Sequence, residues 1–314
     1  MKKIRGGIVC FSLAILFGTV EAAPPQLPFS LVVREGFGSI AVGDINTTLI
    51  SINSGYDIVR SSSPSWGCTG EIKPIPHRYK DWEFELQWDF LWGFGMGIAI
   101  SAPTDYSGSS FLTFSIMQDG LNQTENNTYA SHIRVSAPVK VYLHKSFVLL
   151  RDISATFSGG LGFYNARLTQ SYLYQVRNPL EDQFITNLIF NVQGRHSGSN
   201  IGIGLEYRLN KKFALSATWQ WQFIKIESLK GSALLETQRF DAAGNLTSVD
   251  RTLIDGTFYH YIGQDFSTGR MREKLVVENL DPPWYGIDMP TDIRRAFLDL
   301  SGFTLRIGLK IGLF

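Results

Sequence analysis

The chain has 314 residues, with 29 basic and 28 acidic side chains, so no charge excess points to nucleic acid. Two cysteines are too few for a disulfide framework. The 22 Phe, 12 Tyr, 7 Trp and 30 Gly go with no apolar run beyond residue 22 long enough for a membrane-spanning helix, which leaves strands as the means of crossing a bilayer.

Residues 1–22 read as a secretory signal. Lys2, Lys3 and Arg5 form a basic start, Ile8 to Phe17 a short apolar core, and Val20-Glu21-Ala22 a cleavage site. Cleavage after Ala22 removes three cations and one acid, shifts the formal net charge from +1 to −1 and leaves Cys68 as the single cysteine. Residues 23–314 are then one exported unit.

Eight alternating stretches follow. Residues 29–44 predict the first strand, with Leu31, Val33 and Phe37 on one face. Glu35 falls on that face too, and a bulge near Gly36 would restore the alternation. "DWEFELQWDF" sets Trp82, Phe84, Leu86, Trp88 and Phe90 against Glu83, Glu85, Gln87 and Asp89. "WGFGMGIAIS" sets Trp92, Phe94, Met96 and Ile98 against Gly93, Gly95 and Gly97. "SHIRVSAPVKVYL" reads as one strand, with Ile133, Val135, Val139 and Val141 opposite Arg134 and Lys140. "ISATFSGGLGFY", "NIGIGLEYRL" and "FALSATWQWQF" repeat the pattern, and "FTLRIGLKIGLF" closes it with Arg306 and Lys310 on the polar face. Successive side chains of a strand point to opposite faces, so each stretch has one greasy and one polar or small face.

The links alternate in length. Tight turns are expected near Leu91, at His144-Lys145-Ser146 and at Asn210-Lys211-Lys212; long loops are expected over about residues 45–80, 102–129, 168–198 and 228–296. Short turns on one side and long loops on the other are the layout of an outer-membrane barrel, with turns periplasmic and loops extracellular. The fold class is therefore all-β, a transmembrane antiparallel up-and-down β-barrel of eight strands. Ten remain open if the fourth loop supplies another crossing hairpin. Within the first loop, residues 45–62 read as a helix over the barrel mouth.

In its strand and turn layout, signal and terminal strand "LSGFTLRIGLKIGLF", the chain resembles the small eight-stranded outer-membrane barrels of the OmpA/OmpX type. "AVGDIN" and "LDLSGF" look like a group of uncharacterised barrels. The resemblance implies location in the outer membrane among lipid and lipopolysaccharide, Sec export, and insertion by the barrel-assembly machinery reading the last strand. Phe314 departs from that signal, since it shares the phase of Lys310 rather than of Leu313.

With the greasy faces toward lipid, the polar faces point inward. The expected lumen network is Glu83, Glu85, Asp89 and Glu206 against Arg134, Lys140, Arg208, Arg306 and Lys310, with Arg34 near it. Opposite charges in so narrow a space pair, because an unpaired buried charge costs several kcal/mol, and an eight-stranded interior is about wide enough for side chains to fill it. A plugged lumen and a narrow path both fit this list.

The histidines offer weak enzyme constellations. His144 falls in an expected turn and reads as solvated, and His132 reads as inward. His196 in "RHSGSNIG" has serine neighbours that point away from it along a strand. No Asp-x-His of the omptin proteases is present, and no metal-spaced cluster or cofactor motif. The fourth loop carries an alternating hairpin, Ala233–Phe240 and Leu246–Ile254 around Asp241–Asn245, and an aromatic group Tyr259, His260, Tyr261, Trp284 and Tyr285. That group reads either as packing of the loop on itself or as a recognition surface. Three function classes stay open: a surface-interaction or structural barrel, a narrow channel, and a membrane hydrolase.

Overall fold

The computed structural model describes residues 29–62, 66–118, 121–177, 183–264, 271–279 and 290–313. In chain order it begins with β1 (Phe29–Gly43), helix α1 (Asp44–Ser62), β2 (Trp66–Glu71), β3 (Arg78–Asp89) and β4 (Phe94–Ser101). Next come β5 (Thr104–Gln118), β6 (Leu121–Val135), β7 (Val139–Leu150), β8 (Ile153–Arg177), β9 (Gln183–Arg208) and β10 (Phe213–Phe223). The chain ends with β11 (Lys225–Ile226), β12 (Lys230–Phe240), β13 (Leu246–Gln264), β14 (Met271–Glu278), β15 (Thr291–Arg295) and β16 (Leu298–Gly312).

Eight of these strands close a ring, in the order β1, β3, β4, β7, β8, β9, β10, β16 and back to β1, every pairing antiparallel. The ring has the expected count, although the whole sheet has sixteen strands. Its turns lie at Leu91–Gly93, Arg151-Asp152 and residues 209–212. Phe29 and Leu313 lie at the same end, joined by a backbone hydrogen bond of 3.0 Å. This is the periplasmic end by the turn rule.

β8 and β9 are far longer than a bilayer requires. Their lower parts pair with β7 and β10, and their upper parts, Thr124–Val135 on β6 opposite Ala166–Arg177 and Gln183–Gln193 opposite β12, carry a second wall outside the membrane. The wall runs β2, β5, β6, β8, β9, β12, β13, β14. The expected loops over 102–129 and 168–198 are therefore strands. The hairpin of β12 and β13, with Phe240 opposite Leu246, adds to this wall above the membrane, so it makes no ninth and tenth crossing.

Two physical rules divide the chain at one level. Below it the outward residues are apolar and exposed, as with Leu86, Leu143, Leu161, Ile203 and Ile307. Above it the inward residues are apolar and buried. On β8 the switch falls between Phe163, exposed, and Tyr164, Ala166 and Leu168, all buried. On β16 it falls between Leu298 and Leu300, buried, and Phe303, exposed. A strand in lipid must show hydrocarbon outward, and the same strand in water must hide it. Ile133 and Val135 face in while Val139 and Val141 face out, because the break at residues 136–138 carries the chain from the wall into the ring.

The outer belt ends in aromatics. Phe29 stacks on Trp88 at 5.8 Å near the turns, and Trp219 on Phe303 at 5.6 Å near the wall. Glu35 also faces out, with no bulge at Gly36; the register slips instead between Ile40 and Val42. Lys80 neutralises Glu35 in an ion pair. The belt makes a first prediction. Ile203→Arg, near its middle, should cost about 2–4 kcal/mol of barrel stability in lipid, read by urea titration in vesicles.

Above the belt, Ile40, Ile72, Ile75, Leu112, Ile133, Leu168, Val192, Ile226, Leu298 and their neighbours form one apolar core. The wall is open between its edge strands β2 and β14, and α1 sits in that gap, contributing Ile45 and Leu49 to the core. Toward β2, the Arg60 guanidinium donates to the Gly70 carbonyl at 2.7 Å and the Ile72 amide to Asn53 Oδ1 at 3.0 Å. Toward β14, the Glu273 amide donates to Ser51 Oγ at 3.3 Å and the Arg272 guanidinium lies 5.1 Å from the Tyr56 ring centre. Asp44 pins the helix start by accepting from Arg294 at 2.6 and 2.8 Å and from the Phe297 amide at 2.8 Å.

Candidate functional site

Strand phase and register bring the interior charges together. On β3 the inward positions are Asp81, Glu83, Glu85, Gln87 and Asp89, because Trp82, Phe84, Leu86 and Trp88 take the lipid side. β1 places Arg34 opposite Glu83, β7 supplies Lys140, and β16 supplies Arg306 opposite Gly36.

Glu83 is the hub. It lies 2.7 Å from Lys140 Nζ, 3.3 Å from Arg34 and 3.5 Å from Arg306 Nε, and accepts from Ser101 Oγ at 3.2 Å. Arg34 also pairs with Glu85, and Arg306 reaches Asp81 at 2.7 Å and Gln220. Gln220 in turn donates to Tyr142 at 2.7 Å. Three acids face three cations in this layer, and Glu83, Lys140 and Arg306 are each at most 2 % exposed. A charge this far from water persists only when opposite charges and hydrogen bonds surround it.

A second cluster lies nearer the turns. Asp89 pairs with Lys310 at 3.2 Å and with His144 Nε2 at 2.6 Å, and Lys310 also reaches Glu206 at 3.3 Å. Small residues make the space. A Cβ on Gly95 would collide with His144 and Asp89, and one on Gly97 with Glu85. Glycines on the inward face of β4 thus admit long side chains from the strands beside it.

Of the expected lumen residues, Glu83, Glu85, Asp89, Lys140, Glu206, Arg306 and Lys310 meet inside the ring, and Arg34 joins them. Arg208 lines a cavity of about 80 Å³ at the turn end, with Arg151, Asp152 and Lys212. Arg134 does not belong. It is exposed on the outer face of β6, opposite Arg167 of β8 and above the membrane. The cause is the switch between wall and ring, which reverses the meaning of the phase read through Pro138. His132 likewise faces out, 3.0 Å from Asp105. His144 is buried rather than in a turn, since β7 runs on to Leu150.

For the described part of the fourth-loop aromatic group, burial decides for packing over the candidate recognition surface. Tyr259, His260 and Tyr261 are buried, at 2 %, 2 % and 7 % exposure, so they are packing residues and not a surface. His260 Nε2 lies 3.2 Å from Glu273. Trp284 and Tyr285 lie outside the described residues. Asp81, Gln220, Tyr142 and His144 were missed as network members, although Asp81 shares the phase of Glu83 and the alternation alone finds it.

Two layers lie across the ring: the ionic layer within it, and the apolar core of the wall above. Cavities of about 50 and 80 Å³ remain on the turn side of the layer, the first lined by Arg34, Glu85, His144, Glu206 and Lys310. A closed antiparallel ring with a hydrocarbon belt outside and ions inside is an outer-membrane β-barrel. No family model matches the chain, and no curated protein does. Among solved structures it is similar to the outer membrane protein OprG from Pseudomonas aeruginosa, at 10 % identity and a TM-score of 0.37, over 91 % of this chain and 96 % of that one. It is also similar to the outer membrane protease OmpT from Escherichia coli, at 8 % identity and a TM-score of 0.23, over 91 % and 95 %. A third is a Pseudomonas aeruginosa FadL homologue, at 5 % identity and a TM-score of 0.18, over 91 % and 90 %. The likeness is distant, and the fold assignment rests on the strand ring itself.

Proposed function

We propose that this protein is a non-conducting, non-enzymatic barrel that holds a rigid β-domain at the outer surface of the membrane and works through that domain. What supports the reading is the buried ionic layer across the ring with the apolar core of the wall above it. An ion or solute entering from the turn side meets the layer of Asp81, Glu83, Lys140 and Arg306, with Tyr79, Tyr106 and Tyr164 around the small space above it. Passage would require breaking several buried pairs at once, each costing about 3–5 kcal/mol.

The wall has no such blocked purpose. Its strands, its apolar core and its helix extend the barrel above the membrane. The three histidine contacts seen, His132 with Asp105, His144 with Asp89 and His260 with Glu273, join histidine to carboxylate.

Liposome swelling tests the proposal. Vesicles carrying the refolded protein should take up small sugars and amino acids no faster than protein-free vesicles. Swelling that scales with protein content would replace this reading by the channel.

A further inference from the structure

Just above the apolar belt, the outer surface of the wall carries a row of cations with a single acid at one end. Arg134 of β6 lies directly across from Arg167 of β8, Arg167 across from Gln193 of β9, and Gln193 across from Lys230 of β12. All four are exposed, and so is Arg195, two positions nearer the membrane on β9. Like charges directly opposite on neighbouring strands are destabilising. One acid, Asp105, sits opposite Arg134 at the end of the row and 3.0 Å from His132, so it offsets Arg134, while Arg167 and Lys230 have no carboxylate directly opposite. Arg167 donates to the neutral Asn191 at 3.1 Å. Arg134, Arg167, Arg195 and Lys230 have no ion pair among the described residues.

Arg78, Arg177 and Arg239 are also exposed without an ion pair among the described residues, but each stands opposite neutral residues, Ser39, Thr124, and Phe184 with Ser248. Others on the outer surface are matched. Lys80 pairs with Glu35, Lys225 with Glu227 at 3.1 Å, and Arg251 with Glu236 at 2.6 Å. What sets the row apart is the direct opposition of Arg134 and Arg167, and its height is informative. Phe163 is the last lipid-facing residue of β8, and Arg167 lies four positions beyond it, about 13 Å along the strand and less along the membrane normal. That is the headgroup layer of the outer leaflet. From Arg134 to Lys230 the row spans three strand spacings, about 14 Å, enough for more than one phosphate.

We propose that Arg134, Arg167 and Lys230, with Arg195 beneath them, bind the phosphate groups of a phosphorylated glycolipid of the outer leaflet. The surface is open and encloses nothing, so it has no means of holding a small free anion against water. A headgroup differs because its acyl chains, packed on Val139, Leu161 and Phe163, already hold its phosphates beside the row, which raises their effective concentration. Such a contact would also relieve the repulsion between Arg134 and Arg167 and fix the rotation of the barrel relative to its lipid shell.

The test uses the full-length protein in detergent, with fluorescent lipopolysaccharide, the same material stripped of phosphate, and inorganic phosphate as competitor. The wild type should prefer the phosphorylated form by about ten-fold or more, and Arg134→Ala/Arg167→Ala/Lys230→Ala should lose that preference. Arg251→Ala, an exposed and matched arginine on the same wall, should bind as the wild type does. Folding is checked by retention of heat-modifiable migration on gels. Should the triple variant fail that check, Arg134→Gln/Arg167→Gln must show the loss instead. Equal affinity of wild type and variant, or equal binding of the stripped lipid, overturns the proposal. Full competition by millimolar inorganic phosphate overturns it too, because the row would then be a free-anion site.

Discussion

Glu83→Ala should destabilise the barrel by about 3–5 kcal/mol, because it strips the shared partner from Lys140, Arg34 and Arg306 and leaves one buried cation unmatched. Arg306 keeps Asp81 and Arg34 keeps Glu85, so the orphan is Lys140, 1 % exposed and with Glu83 as its acid. Removing Lys140 as well should recover much of the loss, giving a coupling in a double-mutant cycle toward the upper end of about 0.5–3 kcal/mol. Urea titration in vesicles, followed by tryptophan fluorescence, reads both. A single-variant cost below about 1 kcal/mol, the range of exposed pairs, would mean that water reaches this layer and that the plug is looser than described.

Leu168→Ala should loosen the extracellular wall while the membrane ring stays folded. Leu168 is fully buried in the wall core, and a buried Leu→Ala change costs about 2–5 kcal/mol. The wall is joined to the ring through β8 and β9, so its opening need not unfold the strands in lipid. Protease added to intact cells should then cut the variant within residues 102–138 or 228–296 and leave a protected membrane fragment. Leu161→Ala, on the same strand but facing lipid, should leave the wall resistant. Equal resistance of both variants would show that the wall does not depend on this core.

The contrast between Leu161 and Leu168 also explains what the sequence could and could not reveal. Alternation is visible without knowing the surroundings, and it sufficed for the eight ring strands, the turns near Leu91 and Asn210, and the inward phase of Glu83, Lys140, Arg306 and Lys310. Which face of an alternating strand is inside depends on whether lipid or water lies outside it. Reading one rule along the whole of "SHIRVSAPVKVYL" put Arg134 in the lumen, although the chain changes solvent at residues 136–138. The same blind spot made loops of the upper halves of β8 and β9, where apolar residues hide inward and the alternation weakens into Tyr, Gln, Asn and Thr. Tyr259, His260 and Tyr261 stayed open between packing and a surface, because sequence neighbours on a strand cannot show that both faces are covered. The phase flip between Phe163 and Tyr164 was nonetheless present in the letters, and it marks the outer edge of the belt.

Single-channel recording in planar bilayers tests closure of the lumen most directly. Refolded wild-type protein should give no reproducible conductance steps over physiological voltages, since the ionic layer and the apolar core stand in series. Discrete steps of constant size would contradict that closure, and with it the assignment of the charges on β1, β3, β7 and β16 to a structural plug.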